Sequence, residues 1–404
     1  MTSPTRLLLV CSITPKPTGF GEVTLYRHLC GEPRLEVQVV PHPGNSRFFR
    51  LVRRTALRPW VDGLEVLGEG RRWDTEAHRL ARSFQPQVLL TIAAGDGCHG
   101  ALRLARETRL PLVTIFHDWW PDIVPAWVRT GEEARFRALY RGSAVALCVS
   151  EGMRGALGPH SDSRLLWPIP GKTESALGGG CTETCSEKRF FKVCYSGNLR
   201  EYAPMLQRAL EVMKEHPSIR LEVRGLNPRW PAAFRKEMLA RGLYHEFAPR
   251  EELERWLASA DAFLITSAFE PSMRRMMQTN FPSKLIDYAR FGKPMIVWGP
   301  EYSTLIQWAH PGRRAVCVTA PASQALCVAL EHLSASPVEQ RRLAAESLRA
   351  AWVEFDPAAI QEQFIQALRD ASQRAEPREA CRGSFAPRTS ALVNETLQRL
   401  KAES

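Results

Sequence analysis

No run of about 18 uninterrupted apolar residues, the length a membrane-crossing helix needs, occurs in the chain, so no spanning segment is expected. A signal-peptide layout is lacking too: Met1 to Val10 passes straight into a strand-like run, and the expected location is cytoplasmic. The ten cysteines show no disulfide framework. Their only close pair, Cys181 and Cys185, has no two further ligands nearby, so no metal is expected there. Cys11, Cys148, Cys194 and Cys317 fall in buried-looking strands and read as free thiols of a reducing compartment. There is no D-x-D triplet. The glycines after the first apolar run do not follow G-x-G-x-x-G, which disfavours a nicotinamide enzyme.

What is present is an ordinary globular composition, 44% hydrophobic and 24% charged, in 404 residues, enough for two or three domains. The net charge of +11 points to an anionic partner. Nucleic acid, an anionic membrane surface and a phosphorylated substrate all meet that description. The basic residues are dispersed and no recognition motif accompanies them, so nucleic acid is not expected.

The chain is organised around Asp261 to Pro300. An apolar run, Ala262 to Ile265, leads through a polar loop to a helix opening at Pro282, and the helix stops at Gly292 before the strand Met295 to Trp298. Strand, loop, helix, strand is a parallel α/β unit. Its loop and first helical turn offer unpaired amides and partial positive charge, which suit a phosphate. Asp287, one turn inside the helix, is placed to reach the hydroxyls of an attached sugar.

The segment Phe281-Pro282-Ser283-Lys284-Leu285-Ile286-Asp287-Tyr288, followed by Gly292-Lys293-Pro294, resembles the donor-binding motif of GT-B glycosyltransferases, especially the retaining glycosyltransferase family 4. That family has a Glu, seven residues, then a second Glu; Asp287 stands at the second position and Thr279 at the first. The resemblance implies that Asp287 grips the nucleotide ribose, that residue 279 contacts the donor sugar, and that the amides between, across Asn280, Phe281, Pro282 and Ser283, hold the distal phosphate. Thr279 supplies no carboxylate. A catalytically silent GT-B scaffold that binds a glycan or nucleotide sugar is therefore the alternative to an enzyme.

The resemblance extends along the chain. Arg6 to Ile13 reads as a central parallel strand, and Gly19 and Gly21 precede the helix-like Glu22 to Cys30. By resemblance these glycines approach the donor diphosphate; the plainer reading is a tight turn. Strands at Gln87 to Ala93 and Leu112 to Phe116 follow, and the second ends in His117-Asp118-Trp119-Trp120, where an open sheet gathers its ligands. His117 resembles the family's histidine facing the donor sugar, with Asp118 fixing its tautomer or touching the acceptor. Trp119 and Trp120 offer a platform for an acceptor sugar ring or serve as packing. In the second half, the strand ending Ser196-Gly197-Asn198-Leu199-Arg200 implies donor contacts from Gly197 and a diphosphate contact from Arg200, with Lys284 as a further source of charge. Arg224 opens a turn that the family places at the nucleotide base.

One segment has another character. Residues 47–60 carry arginines at 47, 50, 53, 54 and 58, no acid, and apolar residues 48, 51, 52 and 56 on one helical face. Either an anionic membrane surface or the protein's own core would cover that face. GT-B enzymes with lipid-linked acceptors often dock through such patches on the N-terminal domain.

The expected fold is α/β, GT-B: two Rossmann-like doubly wound parallel-sheet domains facing a cleft. Its parts are an acceptor domain over 1–171, a linker over 172–188, a nucleotide-sugar domain over 189–354, a helix over 355–373 crossing back to the first domain, and a polar basic tail over 374–404. The expected function is transfer of a sugar from a nucleotide diphosphate sugar to a glycan or lipid-linked acceptor, in the setting of cell-surface polysaccharide synthesis. Retention of configuration and no metal or other cofactor complete the expectation.

Overall fold

The computed structural model describes residues 3–17, 21–43, 54–55, 57–68, 70–171, 190–197, 199, 201–226 and 228–374. Gly19, Arg200, Cys181, Cys185, the 172–188 linker, most of the 47–56 segment and the tail from 375 lie outside them.

The first domain is one parallel sheet in the order β2-β1-β3-β4-β5-β6, from β1 (Thr5–Leu9), β2 (Leu35–Val39), β3 (Val88–Ile92), β4 (Leu112–Phe116), β5 (Val145–Cys148) and β6 (Ser163–Leu165). Its central strands are uninterrupted apolar runs because helices cover both faces: Leu7, Leu8 and Leu9 are all fully buried. The order reverses between β1 and β3.

The second domain repeats the plan with β7 (Phe191–Ser196), β8 (Ile219–Arg224), β9 (Tyr244–His245), β10 (Ala262–Thr266), β11 (Met295–Trp298) and β12 (Val316–Val318). Its order is β12-β11-β10-β7-β8-β9, all parallel, with the reversal between β7 and β10. In such sheets a crevice opens at the carboxyl ends of the two strands that flank the reversal.

The helix Pro357–Gln373 crosses back to the first domain and packs Ile360, Phe364, Ile365 and Leu368 against its strands. Asp356 caps it by accepting from the Ala358 and Ala359 amides, and Pro357 starts it where a missing donor costs nothing. Gln361 meets His28 Nδ1 at 2.8 Å, and burial pushes that imidazole down to about 4. The domain seam is aromatic: Trp167 lies 4.3 Å from the Phe281 ring and 5.7 Å from Phe355.

The loop expected between β10 and the motif helix is partly helical, with a 3-10 turn at Pro271–Met273 and a helix at Arg274–Thr279. That helix packs on Glu151–Leu157 of the first domain at Gly152, where a Cβ would collide with the Gln278 carbonyl oxygen. Beside it Ser150 donates to the Thr279 carbonyl. The described cysteines, Cys11, Cys30, Cys98, Cys148, Cys194, Cys317 and Cys327, are free thiols.

Candidate active site

At the carboxyl end of β7 the chain turns at Gly197, whose φ of +137° is open to glycine. Lys284, in the motif helix Ser283–Ala289, lies directly over it, so a Cβ at 197 would press on the lysine stem. The ammonium donates to Tyr195 Oη at 2.6 Å and stands 4.1 Å from the Tyr195 ring and 5.3 Å from that of Tyr202. Burial pushes this half-buried lysine down to about 7, against an upward pull from Glu201. No ion pair with a carboxylate holds it among the described residues. Tyr288, on the same helix, takes the Ser196 amide at 2.7 Å and returns a bond to the Ser196 carbonyl at 3.1 Å, which fixes the helix over the strand end.

The first domain faces this lysine with His117 and Asp118, at the carboxyl end of β4. His117 Nδ1 is 3.7 Å from Asp118 Oδ2, and Asn280 of the second domain donates to Asp118 Oδ1 at 2.7 Å. Burial alone would lower His117; the Asp118 carboxylate outweighs it and holds the imidazole above its ordinary value. Burial likewise opposes ionisation of Asp118, yet His117 and Asn280 keep it below its usual range. His117 Nε2 is buried with no hydrogen-bond partner, a free position for a substrate oxygen. Glu270, just past β10, has a buried Oε2 equally unpartnered, and with Asp118 and Glu201 it adds to the negative field around Tyr202. Sequence reasoning missed Glu270, Tyr195 and Tyr202. The findable signal for Glu270 was its place at the end of the strand preceding the motif.

Several side chains expected at the site are engaged within the protein. Trp119 is wholly buried, its ring 5.1 Å from Phe136 and flanked by Arg137 and Arg275, so it offers no face to an acceptor. Trp120 packs on Val66, Val124 and Val128 and is only partly exposed. Phe281 belongs to the aromatic seam, so its side chain is spent on packing. Thr279 is fully buried and donates to the Arg275 carbonyl, turned away from the cleft. Arg224 is nearly buried and bound to Glu252 at 3.0 Å. Asp287 stands 3.8 Å from Arg27 Nη1 and accepts the Gly171 amide at 3.4 Å, with part of its carboxylate still exposed. Gly21 precedes the helix Glu22–Leu29 with φ +135°, and Pro282 and Ser283 open the motif helix.

The first domain's own crevice, between β1 and β3, is filled. Ser12 donates to Asp96 Oδ1 at 3.1 Å and accepts the Gly97 amide at 2.9 Å. Arg72 reaches both Asp96 oxygens, at 2.6 and 3.0 Å, and pairs with Glu65.

Two facing domains with a cationic crevice in one and a His-Asp pair from the other are the layout of GT-B glycosyltransferases, and comparison with solved structures shows that fold. HepE from Anabaena, solved with UDP-glucose, matches at a TM-score of 0.62 with 15% identity over 90% of this chain and 99% of that one. The α,α-trehalose 6-phosphate synthase of Burkholderia multivorans matches at 0.59 with 12% identity, covering 93% and 100%. WaaG, a glycosyltransferase involved in lipopolysaccharide biosynthesis, matches at 0.56 with 12% identity, covering 90% and 99%. Within the chain, residues 22–163 match the model of Glycosyltransferase Family 4. No curated protein sequence matches it.

Proposed function

We propose that the protein transfers a sugar from a nucleotide diphosphate sugar to a glycan or lipid-linked acceptor, with retention of configuration and without a metal. The observation that carries this reading is Lys284: a cation with no carboxylate ion pair among the described residues, half-buried at the crevice where β7 and β10 part, across the cleft from His117 and Asp118. A donor diphosphate supplies the missing counter-charge, and it in turn raises the lysine's pKa so that the ammonium persists above neutral pH. A lysine doing this work, in a chain lacking D-x-D, supports the metal-free reading.

In the reaction the bond from the anomeric carbon to the diphosphate oxygen breaks and its electron pair stays on the diphosphate, beside Lys284. The acceptor hydroxyl attacks from the same face, and its proton passes to the departing phosphate oxygen. His117, steadied by Asp118, holds a donor-sugar hydroxyl through Nε2. Asn280 ties Asp118 to the motif, so the pair is aligned only when the domains meet, which also excludes water. Cell-surface polysaccharide synthesis is the setting this chemistry suits.

A silent donor-binding scaffold is the second reading, favoured by Thr279, whose buried side chain leaves the family's first carboxylate position without a cleft-facing acid. A thermal-shift screen against UDP, GDP, ADP, CMP and their sugar conjugates separates the readings when paired with a turnover assay. A selective shift by one diphosphate, lost in Lys284→Met, is expected. No shift with any of them overturns the donor site, and a shift with no turnover on any acceptor favours the scaffold.

A further inference from the structure

Glu270 is held firmly by its backbone and given nothing to bind by its side chain. It follows β10, and its neighbour Phe269 packs its ring 6.1 Å from that of the buried Trp298. The Glu270 carbonyl accepts the Met273 amide at 2.9 Å, which closes the 3-10 turn Pro271–Met273. An acid at the start of such a turn ordinarily folds back onto the turn's own amides, and this one does not. Its Oε2 is buried without a donor. The two arginines that follow are engaged elsewhere: Arg274 lies 4.5 Å over the Tyr302 ring, and Arg275 pairs with Glu133 at 2.8 Å. A buried acceptor left unsatisfied is costly, and a bound ligand's donor relieves that cost.

Hydrogen-bond character and charge together select that ligand. His117 Nε2, from the other domain, is also buried without a partner, and Asp118 favours its protonated, donating form. Glu270 Oε2 accepts. The hydroxyls of a sugar ring both donate and accept, so they suit both atoms. A carboxylate only accepts: it would leave Glu270 unsatisfied and bring a second negative charge beside it. The surrounding field has the same sign. Burial, and then the carboxylates of Glu201, Asp118 and Glu270, push the Tyr202 phenol up, and the Tyr202 ring stands 5.3 Å from the Lys284 ammonium. Three acids therefore act on the space beside the lysine. Among the described residues, the cations there are Lys284, matched to the diphosphate, and His117, already answered by Asp118.

We propose, resting on the donor-site reading above, that the transferred sugar is uncharged, rich in hydroxyls and without a carboxylate, and that Glu270 makes this choice. Its Oε2 accepts a hydroxyl of the donor sugar. Its charge, reinforced by Asp118 and Glu201, turns away a uronic acid of the same ring shape. Discrimination between two rings of nearly equal size needs such a repulsive element, since attraction alone separates them poorly.

The test is calorimetric titration of the full chain with UDP, UDP-glucose and UDP-glucuronate, or the same trio on whichever nucleotide the thermal-shift screen selects. The two donors differ only at carbon 6 of the sugar. The glucuronate donor is expected to bind about tenfold more weakly than the glucose donor, as a like charge at close range requires. Glu270→Gln, which keeps the shape and removes the charge, is expected to lower glucose-donor affinity about threefold and to raise glucuronate-donor affinity about as much, with binding of the bare diphosphate and circular dichroism unchanged. Opposite signs distinguish a charge filter from a structural defect, which weakens both donors. Equal wild-type affinity for the two donors overturns the proposal while binding of the bare diphosphate still upholds the donor site. A preference undiminished in Glu270→Gln overturns it too. If no nucleoside diphosphate binds, the donor site falls and the proposal with it.

Discussion

The two domains share a topology rule and use it oppositely. Each sheet reverses its strand order once and opens a crevice there. In the first domain the crevice is occupied from within: Asp96, Ser12, Arg72 and Glu65 satisfy one another, and Arg72 holds the Asp96 carboxyl below its ordinary range against the upward push of burial. In the second, Lys284 has a phenol and two aromatic faces but no ion pair with a carboxylate among the described residues, and Glu270 nearby keeps an oxygen without a donor. A fold supplies two candidate sites, and charge bookkeeping tells which one waits for a ligand. The first domain contributes instead from β4, away from its own crevice, through His117 and Asp118.

Four experiments break or sharpen that contrast. The largest effect belongs to the first domain's reaching pair: His117→Ala is expected to lower kcat on the order of 1,000-fold while the lost hydroxyl contact raises the donor Kd only about tenfold, in steady-state kinetics beside calorimetric titration. A donor Kd that rises in step with the loss of kcat would make His117 a binding group only. Next, Lys284→Met is expected to weaken donor binding about 100-fold, as loss of a charge-assisted contact does. The same variant should melt higher without ligand. Its folded-state pKa of about 7 lies below the free-lysine 10.5, so between those values the unfolded chain holds a proton that the fold does not. The fold therefore bears this cost in full below pH 7 and sheds it as pH rises toward 10.5; methionine never incurs it. By the same sign, donor affinity of the wild type should fall as pH rises above 7.

Arg72→Met reverses the pattern. It strands Asp96 in the filled crevice and is expected to cost about 2 kcal/mol of stability in urea titration, with donor affinity unchanged. Smallest is Glu270→Gln, for which a change of about threefold in the ratio of sugar-nucleotide to bare-diphosphate affinity is expected. No change in that ratio places Glu270 outside the donor-sugar contact.

Most of the fold was legible in the chain because buried parallel strands are apolar runs and their helices start and stop at glycine and proline. Ala262 to Ile265 and Met295 to Trp298 are strands where periodicity placed them. The helix Arg274–Thr279 was read as a loop, since its polar and basic residues carry no inward stripe; tertiary contact with Glu151–Leu157 holds it. The site was legible in location more than in detail. The structure brings Lys284 over Gly197 and Asn280 against Asp118, beside His117. Trp119, Phe281, Thr279, Arg224 and Asp287 sit in the same motifs, but their side chains are claimed by aromatic packing, a backbone carbonyl, Glu252 and, for Asp287 in part, the domain seam. Linear spacing does not record which neighbour claims a side chain. Glu270 belonged to no motif; its place just past β10 was the sequence signal, and its unpartnered buried oxygen singles it out in the structure.

The two sides of the domain boundary are closed by different mixtures of forces, so ionic strength acts on them unequally. Near the cleft the domains are joined by polar ties, Asn280 to Asp118 and Arg275 to Glu133 at 2.8 Å. At the seam they are joined by the tilted and edge-on rings of Trp167, Phe281 and Phe355 and by the Arg27–Asp287 pair. Salt weakens exposed ion pairs and leaves apolar contacts intact. The ring contacts therefore outlast the polar ties as salt rises, and the indole of Trp167 is their built-in fluorescent reporter.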